Sequence, residues 1–283
     1  MSGQSPYFDN LPTRINEGDR TAGMAFGKHI HWGYWENPQS ATGTLADFAT
    51  AAEALSAKMV EVAQISDNQT ILDVGCGFGG TISYLNDHFD HLKLTGINID
   101  GEQIKRAREL VKPKGNNSID FINANACAIP VDSLEGDRLL AVECIFAFPS
   151  RLEFFQEAYR LLKPGGKLTI CDFLPVPWFA GIWQYWENKL NPRIATTYGT
   201  AKSSNPVFSF ISLSQYQELA QKTGFKLATV VDITKNTLPT YPVVNRIMRE
   251  ANPNSTIFNT TEGLAIISRL GWMGYLILDF VKE

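Results

Sequence analysis

A glycine-rich turn holds the residues of this sequence that are best suited to binding a ligand. The stretch ILDVGCGFGG, residues 71–80, leads from an apolar run into a helical pattern. Gly75 and Gly77 let the backbone turn sharply and approach a ligand where a Cβ atom would clash. The spacing also satisfies G-x-G-x-x-G, and Asp100 lies where a dinucleotide enzyme holds ribose, so a nicotinamide-dependent oxidoreductase is one interpretation. Asp73 favours a second interpretation, in which a ligand's ammonium group is held beside the turn. The third interpretation is a tight turn that binds no ligand.

The second cluster is HIHWGYW at residues 29–35, which combines two of the chain's four histidines with three aromatic residues. Because histidine titrates near neutral pH, His31 is a candidate general base; a structural hydrogen bond that holds a covering segment is an equally good interpretation. His29 is the weaker candidate. The H-x-H pair lacks an obvious third protein ligand, so no metal site is predicted. His88 and His91 lie in a polar stretch that is typical of solvated histidines.

The patterns around these clusters predict the elements that position them. Strand and helix patterns alternate, which predicts βαβ units and a doubly wound, mostly parallel sheet. Strands are predicted at 70–75, 92–98, 119–126, 139–148, 167–173, 226–234 and 274–281. Helices are predicted at about 44–65, 80–89, 101–111, 152–162, 213–224 and about 239–270, and a tight turn is predicted at 163–166.

Cap residues and breaks in the rhythm predict the organisation of the chain. Ser212 with Gln215 three residues later resembles a capping box, and Gly224 is a typical helix stop. Residues 1–43 are predicted to form an N-terminal lid segment before a single domain at 44–283. Within that domain, an aromatic segment and a polar loop at about 174–211 are predicted to be an insertion that covers the substrate.

Composition bounds the function. With 283 residues, 44% hydrophobic and 19% charged, the chain is typical of a globular protein with a large core. A net charge of −4 provides no basic field for nucleic-acid binding, so a nucleic-acid partner is disfavoured. The four separated cysteines, the N-terminal sequence and the absence of a long apolar run predict a cytoplasmic protein with no membrane span. The oligomeric state stays open.

The quoted motifs carry a resemblance to a known family. ILDVGCGFGG, TGINIDGEQIKRARE, INANACAIP, the stretch from AVECIFAF to LKPGGKLTICDF, and ISLSQYQELAQKTGF occur in this order. Together they resemble the class I S-adenosylmethionine-dependent methyltransferases, from about residue 28 to the C-terminus. Within that superfamily the chain is similar to small-molecule enzymes of the tocopherol type and to natural-product tailoring enzymes, including cyanobacterial peptide–polyketide O-methyltransferases. The resemblance implies a seven-stranded Rossmann-like sheet with an antiparallel C-terminal strand and helical lid elements.

The resemblance also implies a cofactor, S-adenosyl-L-methionine, and the residues that hold it. Its methionine part is expected over Gly75 and Gly77, with Asp73 nearby. The adenosine part is expected at the ends of the second and third strands, where the implied residues are Asn98, Ile99, Gln103, Asn125 and Ala126. Asn98 and Asn125 replace acids of the family pattern, and an asparagine donates and accepts hydrogen bonds without charge assistance.

The family's segment over the cofactor often reads H-x-G-Y-W, which residues 31–35 match, so Tyr34 and Trp35 are expected to bind the cofactor. Related enzymes often carry a histidine after the fourth strand, in a pattern like E-C-x-F-H-F. Residues 143–148 here read ECIFAF, with Ala147 at the histidine's position. The replacement makes His31 the leading candidate base, with His29 behind it.

The acceptor site is expected at the end of the fourth strand. An unpaired buried carboxylate is costly and the carboxyl ends of strands face the ligand crevice, so Glu143 is a candidate at the acceptor site rather than in the core. The aromatic residues of 178–186 are candidates for a lid over a bulky apolar acceptor, or for helix packing on the sheet. The predicted function is methyl transfer to an apolar secondary metabolite, at a hydroxyl oxygen. The alternatives are N- or C-methylation, the oxidoreductase, and a cofactor-binding protein that has lost its base.

Overall fold

A seven-stranded sheet forms the centre of the molecule in a computed structural model that describes residues 20–131, 135–197, 209–251 and 256–283. The strand order is β3-β2-β1-β4-β5-β7-β6, with β7 antiparallel to both of its neighbours and the first five strands parallel. The predicted Rossmann-like sheet with an antiparallel C-terminal strand is therefore confirmed. The strands are Thr70–Val74 (β1), Lys93–Asn98 (β2), Ser118–Asn123 (β3), Gly136–Val142 (β4), Leu162–Pro175 (β5), Phe225–Asp232 (β6) and Met273–Lys282 (β7).

Helices cover both faces of the sheet. The α-helices are Arg20–Ala25 (α1), Leu45–Ala63 (α2), Gly80–His88 (α3), Gly101–Leu110 (α4), Arg151–Leu161 (α5), Pro177–Thr197 (α6), Leu213–Thr223 (α7), Thr234–Thr237 (α8), Thr240–Ala251 (α9) and Thr256–Arg269 (α10). On one face, α2, α3 and α4 bury apolar residues such as Val60, Leu85 and Ile104. On the other, α5 and α7 bury Phe155 and Tyr216. Because both faces are covered, Ile71–Val74 of β1 are all buried, as the apolar run predicts.

The chain reverses its winding direction between β1 and β4, which lie side by side at the centre of the sheet. Open α/β sheets bind ligands at such a switch point, outside the carboxyl ends of the strands. The glycine turn follows β1 there, and Glu143 follows β4. The topology therefore brings the glycine turn and Glu143 to one edge of the sheet.

Three elements differ most from the sequence prediction. β4 ends at Val142 rather than 148, because Glu143 has a left-handed backbone (φ +49°) and Ile145–Ala147 form a 3-10 helix. β5 begins at Leu162, so the residues 163–166 that were predicted as a turn lie inside the strand. The pairing of β5 with β4 is irregular between Gly136 and Arg138. The stretch predicted at 239–270 forms two helices, α9 and α10. The capping box at Ser212 and the left-handed stop at Gly224 are confirmed.

The N-terminal segment crosses the carboxyl edge of the sheet and is held by several elements. The N–H of Tyr34 donates to the carbonyl of Ala51 at 2.8 Å, and the N–H of Gly33 donates to Thr240 Oγ1 at 3.1 Å. Residues 1–19 of the predicted lid and 198–208 of the predicted insertion lie outside the described residues. Within the described part of the chain, no helix combines the length and apolarity that crossing a bilayer requires.

Candidate active site

The glycine turn has the backbone geometry that a ligand cradle needs. Gly75 and Gly77 have φ values of +76° and +55°, a region that residues with a Cβ rarely adopt. A Cβ on Gly75 would lie only 2.5 Å from Cys144 Cβ, and one on Gly77 would lie 3.1 Å from Ile30 Cδ1. The turn is therefore packed between the end of β4 and the N-terminal segment, and glycine is required at position 75.

Asp73, two residues before the turn, is a buried acid with an unused oxygen. It is 2% exposed, and its Oδ2 has no hydrogen-bond partner among the described residues. Burial raises the pKa of this carboxyl from 3.8 to about 7, because the ionised form loses its hydration. A buried acceptor without a donor is a costly feature, and a ligand that carries an ammonium group would relieve it.

A small cavity of about 20 Å³ joins these residues to the histidine segment. Its lining comprises Lys28, His29, Ile30, His31, Asp73, Gly75, Cys76, Gly77, Gly80, Thr81 and Val142. This space holds about one water molecule. Because so little room separates the two segments, residues 28–31 lie directly over the glycine turn. The structure thus brings together five of the predicted site residues: His29, His31, Asp73, Gly75 and Gly77.

The two histidines form a hydrogen-bonded chain that ends on a carboxylate. His31 Nδ1 lies 2.9 Å from the carbonyl oxygen of Trp32, and His31 Nε2 lies 3.0 Å from His29 Nδ1. His29 Nε2 in turn lies 2.6 Å from Glu53 Oε2 on α2. Ser56 Oγ lies 3.4 Å from both facing nitrogens. Both histidine rings are buried, at 6% and 7% exposure.

This environment makes His31 a weak base. Burial is the largest cause that lowers the pKa of His31 from 6.5 to about 3, and the charge of His29 acts in the same direction, whereas the hydrogen bond to the Trp32 carbonyl opposes the shift. Its Nδ1 donates to a carbonyl, and its Nε2 lone pair faces His29. The base role predicted for His31 would require the bond to His29 to break first.

Glu143 is the buried acid at the end of β4, and the structure gives it two donors. Its Oε1 accepts a 3.1 Å hydrogen bond from the N–H of Trp32 and another from the hydroxyl of Tyr275 on β7. Burial is the largest cause that raises its pKa well above 4.5, and the charge of Asp172 acts in the same direction. The left-handed backbone of Glu143, unusual for a residue other than glycine, is held by this arrangement.

The end of β2 holds the residues predicted for the adenosine part. Asn98 Nδ2 donates to Gln103 Oε1 at 2.9 Å, and Ile99 is 46% exposed, which leaves its side chain open for packing. Asp100 Oδ1 accepts from the N–H groups of Glu102 and Gln103, so this carboxylate caps α4. Asp100, the acid that a dinucleotide enzyme would use to bind ribose, is therefore engaged in capping this helix.

The two residues predicted at the end of β3 play local structural parts. Asn125 Oδ1 accepts from the N–H of Cys127 at 3.0 Å, and Ala126 is buried in the core at 6% exposure. Tyr34 and Trp35 are not among the residues that line the small cavity. Trp35 packs beside Phe48 and donates from Nε1 to Asp47 Oδ2 at 3.2 Å, so it anchors the N-terminal segment on α2.

The aromatic segment forms α6, which has an inward and an outward side. Phe179 is buried, and Trp183 donates from Nε1 to Glu187 Oε1 at 2.6 Å. Trp178, Tyr185 and Trp186 are more than half exposed. The inward rings therefore pack toward the sheet, as one interpretation predicts, and a lid role for the outward rings stays a prediction.

A doubly wound sheet with a left-handed glycine turn and an unpartnered acid at its switch point defines the class of Rossmann-like cofactor-binding enzymes. Residues 72–170 match the family model described as a methyltransferase domain. The chain is 27% identical to 27-O-demethylrifamycin SV methyltransferase of Amycolatopsis mediterranei over 76% of this chain and 73% of that protein. It is 28% identical to 2-methyl-6-phytyl-1,4-hydroquinone methyltransferase of Synechocystis, over 91% and 73% respectively.

Solved structures show the same fold. Geranyl diphosphate C-methyltransferase of Streptomyces coelicolor, a complex that contains S-adenosyl-L-homocysteine, superposes with a TM-score of 0.71 at 18% identity and covers all of both chains. The methyltransferase domain at residues 72–170 and the methyltransferases to which the chain is similar support an S-adenosylmethionine-dependent enzyme.

The described residues fit this cofactor. The unpartnered Oδ2 of Asp73 would accept from the methionine ammonium, and the left-handed turn at Gly75 and Gly77 leaves room for its chain. Exposed Ile99 offers an apolar surface for adenine, and Asn98 offers polar atoms for ribose.

Two site residues escape sequence reasoning. Glu53 lies on α2, 24 residues from His29, and nothing in the helical pattern connects the two. Tyr275 lies 132 residues from Glu143. A buried tyrosine in a strand signals that its hydroxyl needs a partner, but only the folded chain identifies that partner.

Proposed function

We propose that the protein transfers a methyl group from S-adenosylmethionine to a hydroxyl oxygen of a small or medium-sized apolar secondary metabolite. The bound cofactor supplies an electrophilic methyl group on a sulfonium. The proposal rests mainly on Glu143, a buried carboxyl that directly follows Val142 of the small cavity's lining and accepts from the N–H of Trp32. Burial raises the pKa of this carboxyl well above 4.5. A carboxylate with a raised pKa is a stronger base than an ordinary one, which suits the removal of a hydroxyl proton.

The residues around Glu143 support this use. The N–H of Trp32 and the hydroxyl of Tyr275 both donate to its Oε1, which orients the carboxyl and stabilises its charge. The ring of Trp32 packs against the rings of Tyr241 and Phe173, with centroid distances of 4.2 Å and 5.1 Å. An apolar wall therefore adjoins the acid. Such a wall excludes water and favours an apolar acceptor. Glu143 is therefore the leading base candidate, ahead of His31 and His29.

A larger cavity provides room for a bulky acceptor. It has a volume of about 1160 Å³ and lies along the same edge of the sheet, beside the ends of β5 and β6 and the start of β7. Val176, Leu238 and Met273 contribute apolar surface to its lining. Ser268 also lines it and hydrogen bonds to the Tyr241 hydroxyl at 2.7 Å, which connects the cavity to the wall at Trp32. The segments proposed to cover the substrate are the N-terminal lid and the part of the insertion that includes α6.

The names of the relatives support the substrate class and the acceptor atom. One acts as a 27-O-demethylrifamycin SV methyltransferase, and another is an erythromycin 3''-O-methyltransferase of Saccharopolyspora erythraea. Both names denote methyl transfer to oxygen on natural products, and we extend this reaction type to the present chain.

The test is incubation of the purified protein with methyl-deuterated S-adenosylmethionine and a metabolite extract, followed by mass spectrometry. We expect a product that is heavier by one labelled methyl group, and NMR of that product should show an O-methyl group. The Glu143→Gln variant serves as the matched control, because it preserves the size of the side chain and removes the base. Labelling on nitrogen or carbon would refute the assignment to oxygen, and labelling at wild-type rate by the variant would refute the role of Glu143.

A further inference from the structure

The outward side of α6 carries an exposed apolar stripe, which we call the outer stripe. Four large side chains at helical spacing form it, each between 48% and 60% exposed: Trp178, Ile182, Tyr185 and Trp186. The opposite side of the helix is also apolar, because Phe179 is buried and the ring of Trp183 lies 5.8 Å from that of Phe210. A helix that is apolar on both sides is typical of a buried helix, so the outer stripe is suited to a partner outside the chain.

The apolar surface continues from α6 to the end of α10. The ring of Trp178 contacts that of Trp272, at a centroid distance of 5.3 Å, and the N–H of Val176 donates to the carbonyl of Trp272 at 3.0 Å. Leu270 and Ile266, one helical turn apart, are each more than half exposed. Six of the eleven exposed large apolar side chains in the described part of the chain lie on these two joined elements, so they form a patch rather than a scatter.

The charge beside the outer stripe is positive. Lys189 Nζ lies 4.5 Å from the centroid of the Tyr185 ring, and Arg269 is exposed at the end of α10. Glu187 is the only acid in the sequence of α6, and it is buried, with its Oε1 accepting from the N–H of Phe210 at 2.7 Å. A chain with a net charge of −4 therefore presents a cation and no carboxylate on this side of α6.

This combination of side chains matches the surface of a lipid bilayer. Tryptophan and tyrosine rings occupy the head-group region of a bilayer, and basic side chains beside them reach the lipid phosphates. A second copy of this chain fits less well, because a two-fold contact between two such faces offers no carboxylate for Lys189. We propose that the outer stripe, together with Ile266 and Leu270, docks on the surface of a bilayer that contains anionic phospholipids.

The position of the patch gives the docking a use. Val176, which connects β5 to α6, and Met273, which follows Trp272, both line the cavity of about 1160 Å³. Docking places this cavity beside the lipid, so an apolar acceptor dissolved in the bilayer reaches it with little exposure to water. This use rests on the proposed function, whereas the docking itself requires neither cofactor nor acceptor.

Co-sedimentation of the full chain with vesicles of phosphatidylcholine and phosphatidylglycerol in equal parts tests the docking. We expect the wild type to bind these vesicles, to bind pure phosphatidylcholine more weakly, and to be partly released by salt, because salt screens the charge contribution. Ile182→Ser/Trp186→Ser should weaken binding by about 10-fold or more, since two apolar side chains no longer enter the interface. Lys189→Ala should weaken it by about 5-fold, because one cation near the lipid surface is lost.

Leu110→Ser/Val230→Ser is the matched control. Leu110 on α4 and Val230 on β6 are 44% and 42% exposed and lie outside the patch, so this variant should bind vesicles as the wild type does. Because all the substituted side chains are exposed, every variant should keep a Tm near that of the wild type. Quenching of tryptophan fluorescence by brominated phospholipid locates the contact: the wild type should be quenched, and Trp186→Phe should be quenched less.

The outcomes separate the possible failures. A wild-type chain that does not bind the anionic vesicles overturns the inference, as does equal loss of binding in the patch variant and in its matched control. Self-association in light scattering that Ile182→Ser/Trp186→Ser abolishes, without vesicle binding, would assign the patch to a second copy instead. Vesicle binding by a protein that transfers no methyl group would overturn the proposed function and leave the docking in place.

Discussion

Asp73→Asn should separate the stability of the free protein from its ability to bind the cofactor. Asp73 is 2% exposed, and its Oδ2 has no partner among the described residues, so the free protein must hold an uncompensated buried acid. Asparagine has nearly the same shape but no charge. We expect the variant to lose the thermal stabilisation by S-adenosylhomocysteine and to gain stability in the absence of ligand at alkaline pH.

The magnitude follows from the raised pKa. Burial moves the pKa of Asp73 from 3.8 to about 7. Below pH 3.8 the acid is protonated in both the folded and the unfolded chain, and the shift has no effect. Between the two values the folded state is penalised increasingly, and above about pH 7 the penalty is constant. At about 1.36 kcal/mol per pKa unit, the full penalty is about 4 kcal/mol.

Denaturant unfolding of the ligand-free wild type and variant at about pH 5 and about pH 8 measures this effect. The asparagine amide is also buried without a partner, which offsets part of the gain by about 1–3 kcal/mol at both pH values. The difference between the pH values is therefore the sharper quantity, and we expect the advantage of the variant to grow by about 2.5 kcal/mol from about pH 5 to about pH 8. An advantage that does not change with pH would refute the reasoning.

Asp172→Asn provides the matched control. Asp172 is also fully buried, and burial raises its pKa to about 6, but it accepts from the Tyr216 hydroxyl and lies 3.8 Å from Arg151 Nη2. Removing this carboxylate leaves a buried arginine without its counter-charge, so the variant should be destabilised at about pH 8. Equal gains in the two variants would show that the missing partner at Asp73 has no consequence.

The remaining predictions concern the turn and the base. Gly75→Ala should destabilise the protein by at least about 2 kcal/mol more than Gly43→Ala in denaturant unfolding: both have left-handed backbones, at φ +76° and +69°, but a Cβ on Gly43 meets no atom within 4 Å. Equal losses would show that Cys144 moves aside without cost. With an identified acceptor, Glu143→Gln should lower kcat by ~10²-fold or more and leave S-adenosylhomocysteine affinity near wild type. His31→Ala should instead weaken S-adenosylhomocysteine binding and leave kcat near wild type. A ~10²-fold loss of kcat with normal affinity would make His31 the base.

Much of the architecture is predictable because it depends on local patterns. The alternation of apolar strands with amphipathic helices, the glycine turn and the cap at Ser212 each follow from a few neighbouring residues. The prediction of a strand over 139–148 was too long, because Glu143 adopts a left-handed backbone that its local sequence does not favour. That conformation is held by Trp32 and Tyr275, which are distant in sequence.

The resemblance of the quoted motifs to a known family indicated the cofactor class. The sequence by itself determined the fold class and the place of the ligand edge. These depend on short periodic patterns and on glycines whose missing side chain has a local steric meaning. The tertiary structure decided which charges meet: His29 with Glu53 over 24 residues, and Glu143 with Tyr275 over 132. Protonation states depend on burial and on partners at hydrogen-bond distance, which chain order does not encode. For that reason the fold moved the leading base candidate from His31 to Glu143.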